Sequence, residues 1–513
     1  MYITEQDLIN ARLAVTGMLQ DSQIIGDLID ADETAKTDMQ DGIDYYKGDH
    51  DILDREIKYW VDGIEYTDDN ATNNQVVHPF LTYLIDQKSN YICGNPITFK
   101  SEDENDPVVE LAETITDEYF DETMIEYIKG AGVKGYETLH PFINEKGEFD
   151  FVIIPAEQCI LIYDSLYQRD LIYVIRYYEF EYIDTNKVKK TGYKVEWWDK
   201  YQVKYYVQKE DGGEYILDPN EPVNPRPHWI ESMVVAGQPV EGTKKSGSWG
   251  KVPFIILKNN AEFQPDLKVL KPMIDDYDLN ISEFSNNLED IQEAYWVLKG
   301  YQGQNLNEFR TNLKKYRAIQ VDEEGGVETQ KVEIPKDPRD SHLDRLEENI
   351  FIFGRGLNPK TDVFGNSPSG VALRWLFTPM EIKCNGTMRS LTVAVKELVW
   401  FLAQYTKIKD GLDIDTSGLQ VVFNKNLLIN ETETIDNVIK SKGTIDQETA
   451  LANHPWVKNV DETIKKLAEE NEARLELFDD QESQGGVQGS EQEGEEPGEV
   501  PDEKGSTEKT KTG

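Results

Sequence analysis

Apolar positions along this chain follow two rhythms, one of three and four residues and one of two. Leu267, Leu270, Ile274, Tyr277, Ile281, Phe284, Leu288 and Ile291 alternate three and four residues apart, the spacing of one narrow stripe along a helix. Pro272 within that run predicts a kink or the true first turn. Leu343, Leu346, Ile350 and Phe353 repeat the device, opening after Asp340-Ser341 as a cap and stopping at Gly354-Arg355-Gly356-Leu357-Asn358-Pro359. Cys384, Met388, Leu391, Val395, Leu398 and Leu402 predict a third, long helix, broken upstream by Pro379 and loosened at Gly386. Any single stripe is accounted for by an ordinary core helix. Two striped helices flanking an insert of roughly forty residues ask for a further explanation.

Elsewhere the rhythm alternates. Residues 1 to about 60 read as helical and acidic, with short helices over Asp38–Tyr46 and Leu53–Trp60 separated by Gly48. After the polar run Thr67–Gln75, a helix follows His78-Pro79 and turns Phe80, Leu84, the Lys88 stem and Tyr91 or Ile92 inward. Gly94-Asn95-Pro96 stops it, Ile97–Lys100 reads as a strand, and Pro107–Lys129 as a further helix. From Phe149 the period becomes two: Phe149-Phe151-Ile153, Leu171-Tyr173-Ile175-Tyr177, Tyr193-Val195-Trp197 and Val203-Tyr205-Val207 predict an antiparallel sheet with turns at Asp199-Lys200 and Asp211-Gly212-Gly213. Pro219–Gly250 reads as irregular and Val252–Leu257 as a buried strand. Inside the insert, Ala294–Tyr301 predicts a strand, Leu306, Phe309, Leu313 and Tyr316 a short helix, and Ala318–Val321 with Val327–Glu333 a hairpin around Glu323-Glu324-Gly325-Gly326. Gln420–Phe423 is one more strand. Thr444-Ile445-Asp446-Gln447 and Asn459-Val460-Asp461-Glu462 read as capping boxes, the second opening a helix through Phe478. The fold class is therefore α+β with several domains.

With 513 residues the chain is long enough for two to four compact units. Its 53 Lys+Arg against 97 Asp+Glu give a formal charge of -44, which argues against gripping nucleic acid through counterion release. The tail from Asp479 to Gly513 holds eleven acids and three bases and almost nothing to bury, so it is expected to be disordered while the remainder stays strongly acidic. Cys93, Cys159 and Cys384 form no Cys-x-x-Cys and suit three buried thiols in a reducing compartment. No export signal or membrane span is expected, since the N-terminus lacks a basic segment and runs such as Val252–Leu257 are too short.

Candidate chemistry is sparse. Gly130-Ala131-Gly132-Val133-Lys134-Gly135 has the spacing of a dinucleotide-binding turn, but a helix over Met124–Lys129 precedes it where a strand is needed. No Gly-x-x-x-x-Gly-Lys-Ser/Thr occurs. His78, His140 and His454 each precede proline, and Asp275-Asp276 and Asp413-Ile414-Asp415 read as solvated acids in so acidic a chain. The expectation is no catalytic set, no cofactor and no metal. Arg310, Lys314, Lys315 and Arg317 make the one basic cluster, either a solvated helix face or a contact to phosphate or an acidic partner.

Several phrases, in order, resemble the portal proteins of tailed double-stranded-DNA phages, in the branch typical of siphophages of Gram-positive hosts. They are Asn74-Gln75-Val76-Val77-His78-Pro79-Phe80 running to Asp86-Gln87-Lys88, Tyr91-Ile92-Cys93-Gly94-Asn95-Pro96-Ile97, Ile175-Arg176-Tyr177-Tyr178, and Val252-Pro253-Phe254 with Asn259-Asn260. Ile274-Asp275-Asp276-Tyr277, Ser369-Gly370-Val371-Ala372-Leu373 and Glu448-Thr449-Ala450-Leu451 continue the series, so the resemblance spans most of residues 30–478. It implies an arm at 1–30, a wing of helices and antiparallel sheet at 31–263, a first stem helix at 264–293, a small α/β clip at 294–335 and a second stem helix at 336–358. It further implies a tunnel loop at 359–370, a long kinked helix at 371–410, a wing return strand at 411–429, a helical crown at 430–478 and a disordered tail at 479–513.

By the same resemblance, Asp362, Val363, Phe364, Gly365, Asn366, Ser367, Pro368, Ser369 and Gly370 form the tunnel loop. Ile274, Tyr277, Ile281, Phe284, Leu288, Ile291, Leu343, Leu346 and Ile350 pack the stem. The implied assembly is a dodecameric ring at one capsid vertex, made in the host cytoplasm, through which double-stranded DNA passes without sequence specificity during packaging and ejection. Implied partners are the terminase packaging motor, a head-completion or connector protein, and the major capsid and scaffolding proteins, with no membrane. Acidic charge then suits a bore that must pass a polyanion without holding it. A cytosolic nucleotide-binding enzyme built around Gly130–Gly135 and an acidic scaffold without a channel are the competing readings.

Overall fold

The computed structural model describes residues 3–4, 7, 21–68, 71–103, 105–166, 169–183, 187–209, 213–235, 238–290, 295–299, 326–330, 336–360, 370–425, 431–457, 460 and 462–470. The chain divides into two units, Met1–Leu428 and Ile429–Gly513.

Alternating aromatic and β-branched residues build the main sheet of the first unit. Its strands run in the order Ile3–Thr4, Cys159–Tyr163, Leu171–Ile183, Lys189–Trp198, Gln202–Gln208 and Ile216–Leu217, with Arg226–Pro227 also paired to Gln202–Gln208. Every pair is antiparallel except Ile3–Thr4 against Cys159–Tyr163. Helix Asp21–Lys47 lies across this sheet, burying Ile24, Ile25 and Leu28 against Ile160, Ile162, Ile175 and Trp197. The Lys36 ammonium anchors it by donating to the carbonyls of Ala156 and Cys159 at 2.9 and 2.7 Å. A second sheet runs Ile255–Lys258, Tyr136–Ile143, Phe149–Ile154.

The largest core surrounds helix Gly370–Asp410. Cys384, Leu391, Val395, Leu398 and Leu402 are all buried there, among residues of Phe80–Cys93, Pro107–Glu113 and Glu118–Lys134. Strand Gln420–Val422 pairs with Thr98–Lys100 and returns the chain to the same core. In the second unit, Glu431–Ser441, Gln447–Ala452 and residues 462–470 are helical, and none of the residues whose burial is described there is buried.

Several local expectations give way to tertiary context. Asp38–Tyr46 is part of the 27-residue helix Asp21–Lys47, which continues through residue 30. Leu53–Trp60 is not a helix: Asp51–Asp54 is one 3-10 turn, and Lys58–Val61 pairs with Ile64–Thr67 across Asp62 and Gly63, both at positive φ, 51° and 80°. An Asp-Gly pair between β-forming residues is the usual two-residue hairpin signal. Pro107–Lys129 is two helices, because Asp117 caps the second by accepting from the amides of Tyr119 and Phe120. Pro219–Gly250 holds the regular hairpin Trp229–Val235 with Gln238–Gly247. Pro379 does not break helix Gly370–Asp410, since buried Phe377 and Met380 on either side pin the backbone. Asp340-Ser341 caps nothing, as its helix already starts at Lys336. Asp446, rather than Thr444, is the cap of Gln447–Ala452, accepting from the Thr449 amide at 2.8 Å. Within the expected knob, Tyr295–Lys299 pairs with Gly326–Gln330. Ala318–Val321, the Leu306–Tyr316 helix and the tail from Asp479 lie outside the described residues.

Candidate assembly site

Helices Leu267–Asp290 and Lys336–Gly354 pack side by side in opposite directions. Gly354 lies beside Leu270, His342 Nε2 stands 2.9 Å from Asp276 Oδ2, and the Arg339 guanidinium sits over Phe284 at 5.4 Å. Leu267, Leu270, Ile274, Ile350 and Phe351 join Tyr45, Leu81, Leu84 and Ile85 in one apolar cluster at the paired end. Ile274, Leu346 and Ile350 are buried; Tyr277, Ile281, Phe284 and Leu343 are half-buried; Leu288 is 51% exposed. Phe353, placed on the stripe by its spacing, is exposed, and Phe351 is buried in its stead.

Beyond Ile274 the buried line leaves the apolar stripe and follows four-residue steps through Asp278, Ser282 and Asn286. These three side chains accept alternate backbone amides of the segment before His78-Pro79: His78 N–H to Asp278 Oδ1 at 3.0 Å, Val76 N–H to Ser282 Oγ at 2.9 Å and Asn74 N–H to Asn286 Oδ1 at 2.6 Å. Four helical residues rise about 6 Å and two extended residues about 6.6 Å, so the two repeats stay in register over this length. Asp278, only 1% exposed, also meets His50 Nδ1 at 2.6 Å and His78 Nδ1 at 2.9 Å. The amides of this half-buried segment and the buried Asp278 carboxylate are thus paired, as removal from water requires. The sequence signal for this ladder is the polar repeat Asp278, Ser282, Asn286, easily passed over beside the apolar stripe.

A second junction closes the paired end. Asp266 opens the first helix and receives Lys383 Nζ at 2.9 Å, Lys88 Nζ at 3.4 Å and Asn259 Nδ2 at 2.9 Å. Burial opposes its ionisation, but the two lysines and the amide outweigh that and hold the carboxyl well below the usual range. Lys88 is buried with its ammonium, not only its stem, and burial lowers its pKa. Lys383 also donates to the Gly354 carbonyl at 3.0 Å. That carbonyl is left over where the second helix ends, with Arg355 left-handed at φ 56° and the Gly356 amide returning to Phe351 O at 3.0 Å. A Cβ at Gly356 would run into Leu84.

Of the other sequence candidates, Ile291, Arg310, Lys314, Lys315, Arg317 and Asp362 through Ser369 lie outside the described residues, while Gly370 begins the long helix. Gly130 and Gly132 sit inside helix Glu118–Lys134, and Gly135, at φ 92°, ends it before an antiparallel strand. The amides a pyrophosphate would need are engaged in the helix. Cys93, Cys159 and Cys384 are buried and free, burial pushing their thiols up to about 12, 12 and 11. Among the described residues no group of acids, histidines and cysteines is placed to hold a metal ion, and no helix is long and apolar enough to cross a membrane.

The family model described as phage portal protein, SPP1 Gp6-like, matches residues 25–476, a span that includes both helices, the strap Asn74–His78 bound along the first of them, and the clamp that Lys383 makes with Asp266 and Gly354. This chain belongs to that portal family. The portal protein of Bacillus phage SPP1 is 32% identical over 464 residues, 89% of this chain and 88% of that protein. The portal protein of Clostridium phage phiCD119 is 27% identical over 474 residues, 88% of this chain and 97% of that one. Portal proteins are structural components of the phage capsid and not enzymes, and family membership implies an oligomeric ring at a capsid vertex. The portal fold is mixed α+β, as the periodicities predict.

Proposed function

We propose that this portal protein assembles into a closed ring whose central channel passes double-stranded DNA into and out of the capsid. The observation that carries the reading is the antiparallel pair Leu267–Asp290 and Lys336–Gly354. It is clamped by Lys383 at one end and releases the intervening chain from the other. Helices paired this way form a rigid strut, and Leu288 leaves apolar surface on it for a neighbour. In this reading the pair is the stem, 294–335 the clip that meets the packaging motor and later a connector protein, and 359–370 the loop lining the narrowest part of the bore. Residues 31–263 with 411–429 form the wing and 430–478 the crown. The excess of acids supports transit without retention, since carboxylate walls repel phosphate.

Electron microscopy of the purified protein tests this. Closed rings with a central channel are expected; compact monomers and dimers alone at high concentration would overturn it. In rings that form, reversing Arg310, Lys314 and Lys315 to Glu is expected to leave assembly intact and impair packaging. Lysines at Val363 and Phe364 are expected to slow DNA passage most strongly at low salt.

A further inference from the structure

Among the described residues, the hairpin Lys58–Val61 and Ile64–Thr67 covers no core. Every residue from 58 to 67 is exposed, including Trp60 at 67% and Ile64 at 58%. Its register sets Tyr59 opposite Tyr66 and Val61 opposite Ile64, so these four side chains share one face, with the two tyrosine rings stacked at 5.7 Å. The other face carries Trp60, Thr67 and the ion pair Lys58–Glu65 at 3.2 Å. A two-stranded hairpin alone is marginal in water, and a contiguous apolar patch rimmed by charge marks a contact surface.

The hairpin is also held in place. Ile57 O accepts from the Asp68 amide at 2.8 Å, closing its base. The Gln75 side chain ties Leu53 O at 2.8 Å and Arg55 O at 3.1 Å to the strap, and Arg55 pairs with Glu283 on helix Leu267–Asp290. The strap itself is fixed to that helix by Ser282 and Asn286. An apolar face is therefore mounted on the flank of helix Leu267–Asp290.

We infer that the Lys58–Thr67 hairpin is an arm that grips an adjacent copy of this chain, burying Tyr59, Val61, Ile64 and Tyr66 against it. The inference rests on the ring reading and adds to it the element that joins subunits. A second copy is the occupant favoured by position, because the arm is continuous with the stem flank and its four-residue strands reach only about 13 Å. It is also favoured by charge. Copies at -44 each repel, and this face meets its partner without a charge of its own. The contact is heterologous, arm to flank, which is the kind that closes a ring.

The test places a photo-reactive benzoylphenylalanine at Tyr66, on the proposed contact face, in the full chain, and separately makes Val61→Asp and Ile64→Asp. Irradiation is expected to give a ladder of covalent multimers of this chain. The aspartate variants are expected to keep the wild-type thermal midpoint, since both positions are exposed, and to need at least tenfold more protein to assemble. Rings forming at the wild-type concentration in both variants, or adducts only to some other protein, overturn the inference. Absence of rings from the wild type refutes the ring reading by itself, and the cross-link still reports whether the arm touches a second copy.

Discussion

Lys383 and Asp266 meet at 2.9 Å, and through that ammonium the long helix holds the start of one stem helix and, by Gly354 O at 3.0 Å, the end of the other. Three elements far apart in sequence are thereby fixed at one point. Lys383→Met leaves the buried Asp266 carboxylate with only Lys88 and Asn259, and is expected to cost about 3 kcal/mol. The double variant with Asp266→Asn is expected to lose less than the sum of the singles in a denaturant-unfolding cycle. Strict additivity would show that the clamp is not a unit.

Ser282→Ala is expected to leave the buried-side Val76 amide without its acceptor, at a local cost of about 1–3 kcal/mol. Because the strap is only half-buried while Ile350 is fully buried, the loss reads out as faster hydrogen exchange at Asn74, Val76 and His78, with amides around Ile350 unchanged. Equal acceleration at Ile350 would mean the ladder supports the whole stem.

Ile274→Asp and Leu288→Asp separate folding from assembly. Ile274 is fully buried, and an unpaired charge there is expected to cost several kcal/mol and abolish soluble folded protein. Leu288 is half exposed, so Leu288→Asp is expected to melt like wild type while weakening ring formation. A Leu288→Asp protein that assembles normally places the subunit contact elsewhere.

His140 donates from Nδ1 to Pro253 O at 2.6 Å, with Trp198 and Phe254 each 4.9 Å away. Burial lowers its pKa from 6.5 to about 4. The unfolded chain therefore binds a proton that the folded one refuses between those values. The stability this site contributes is complete above pH 6.5 and drains as pH falls toward 4, by about 1 kcal/mol per unit and no more than ~3 in all. The stability difference between wild type and His140→Phe, followed from pH 7 to 4, is expected to shrink accordingly; a constant difference refutes it.

Repeating patterns carried most of the local structure. The stripes at Leu267–Ile274, Leu346–Ile350 and Cys384–Leu402 became helices with those faces buried, and the period-two runs from Phe149 to Val207 became antiparallel strands. Burial of one face forces a period, and the period is visible in the residues themselves. Phrases such as Asn74–Phe80 and Tyr91–Ile97 marked the family without any coordinates. The turn at Asp62-Gly63 was equally legible and shows that a short polar-flanked run is easily assigned to the wrong period.

What no local pattern contained was partnership between distant segments. That Asp278, Ser282 and Asn286 are buried depends on a strap some two hundred residues earlier bringing amides that need acceptors. Lys88 and Lys383 look like surface lysines until Asp266 and Asn259 arrive to neutralise and bond them. Pro379 reads as a break until the core on both sides keeps the helix continuous through it. Sequence determined which faces must leave water, because hydrophobicity belongs to each residue. Tertiary structure decided which polar groups could follow them inside, because that depends on a partner no residue carries alone.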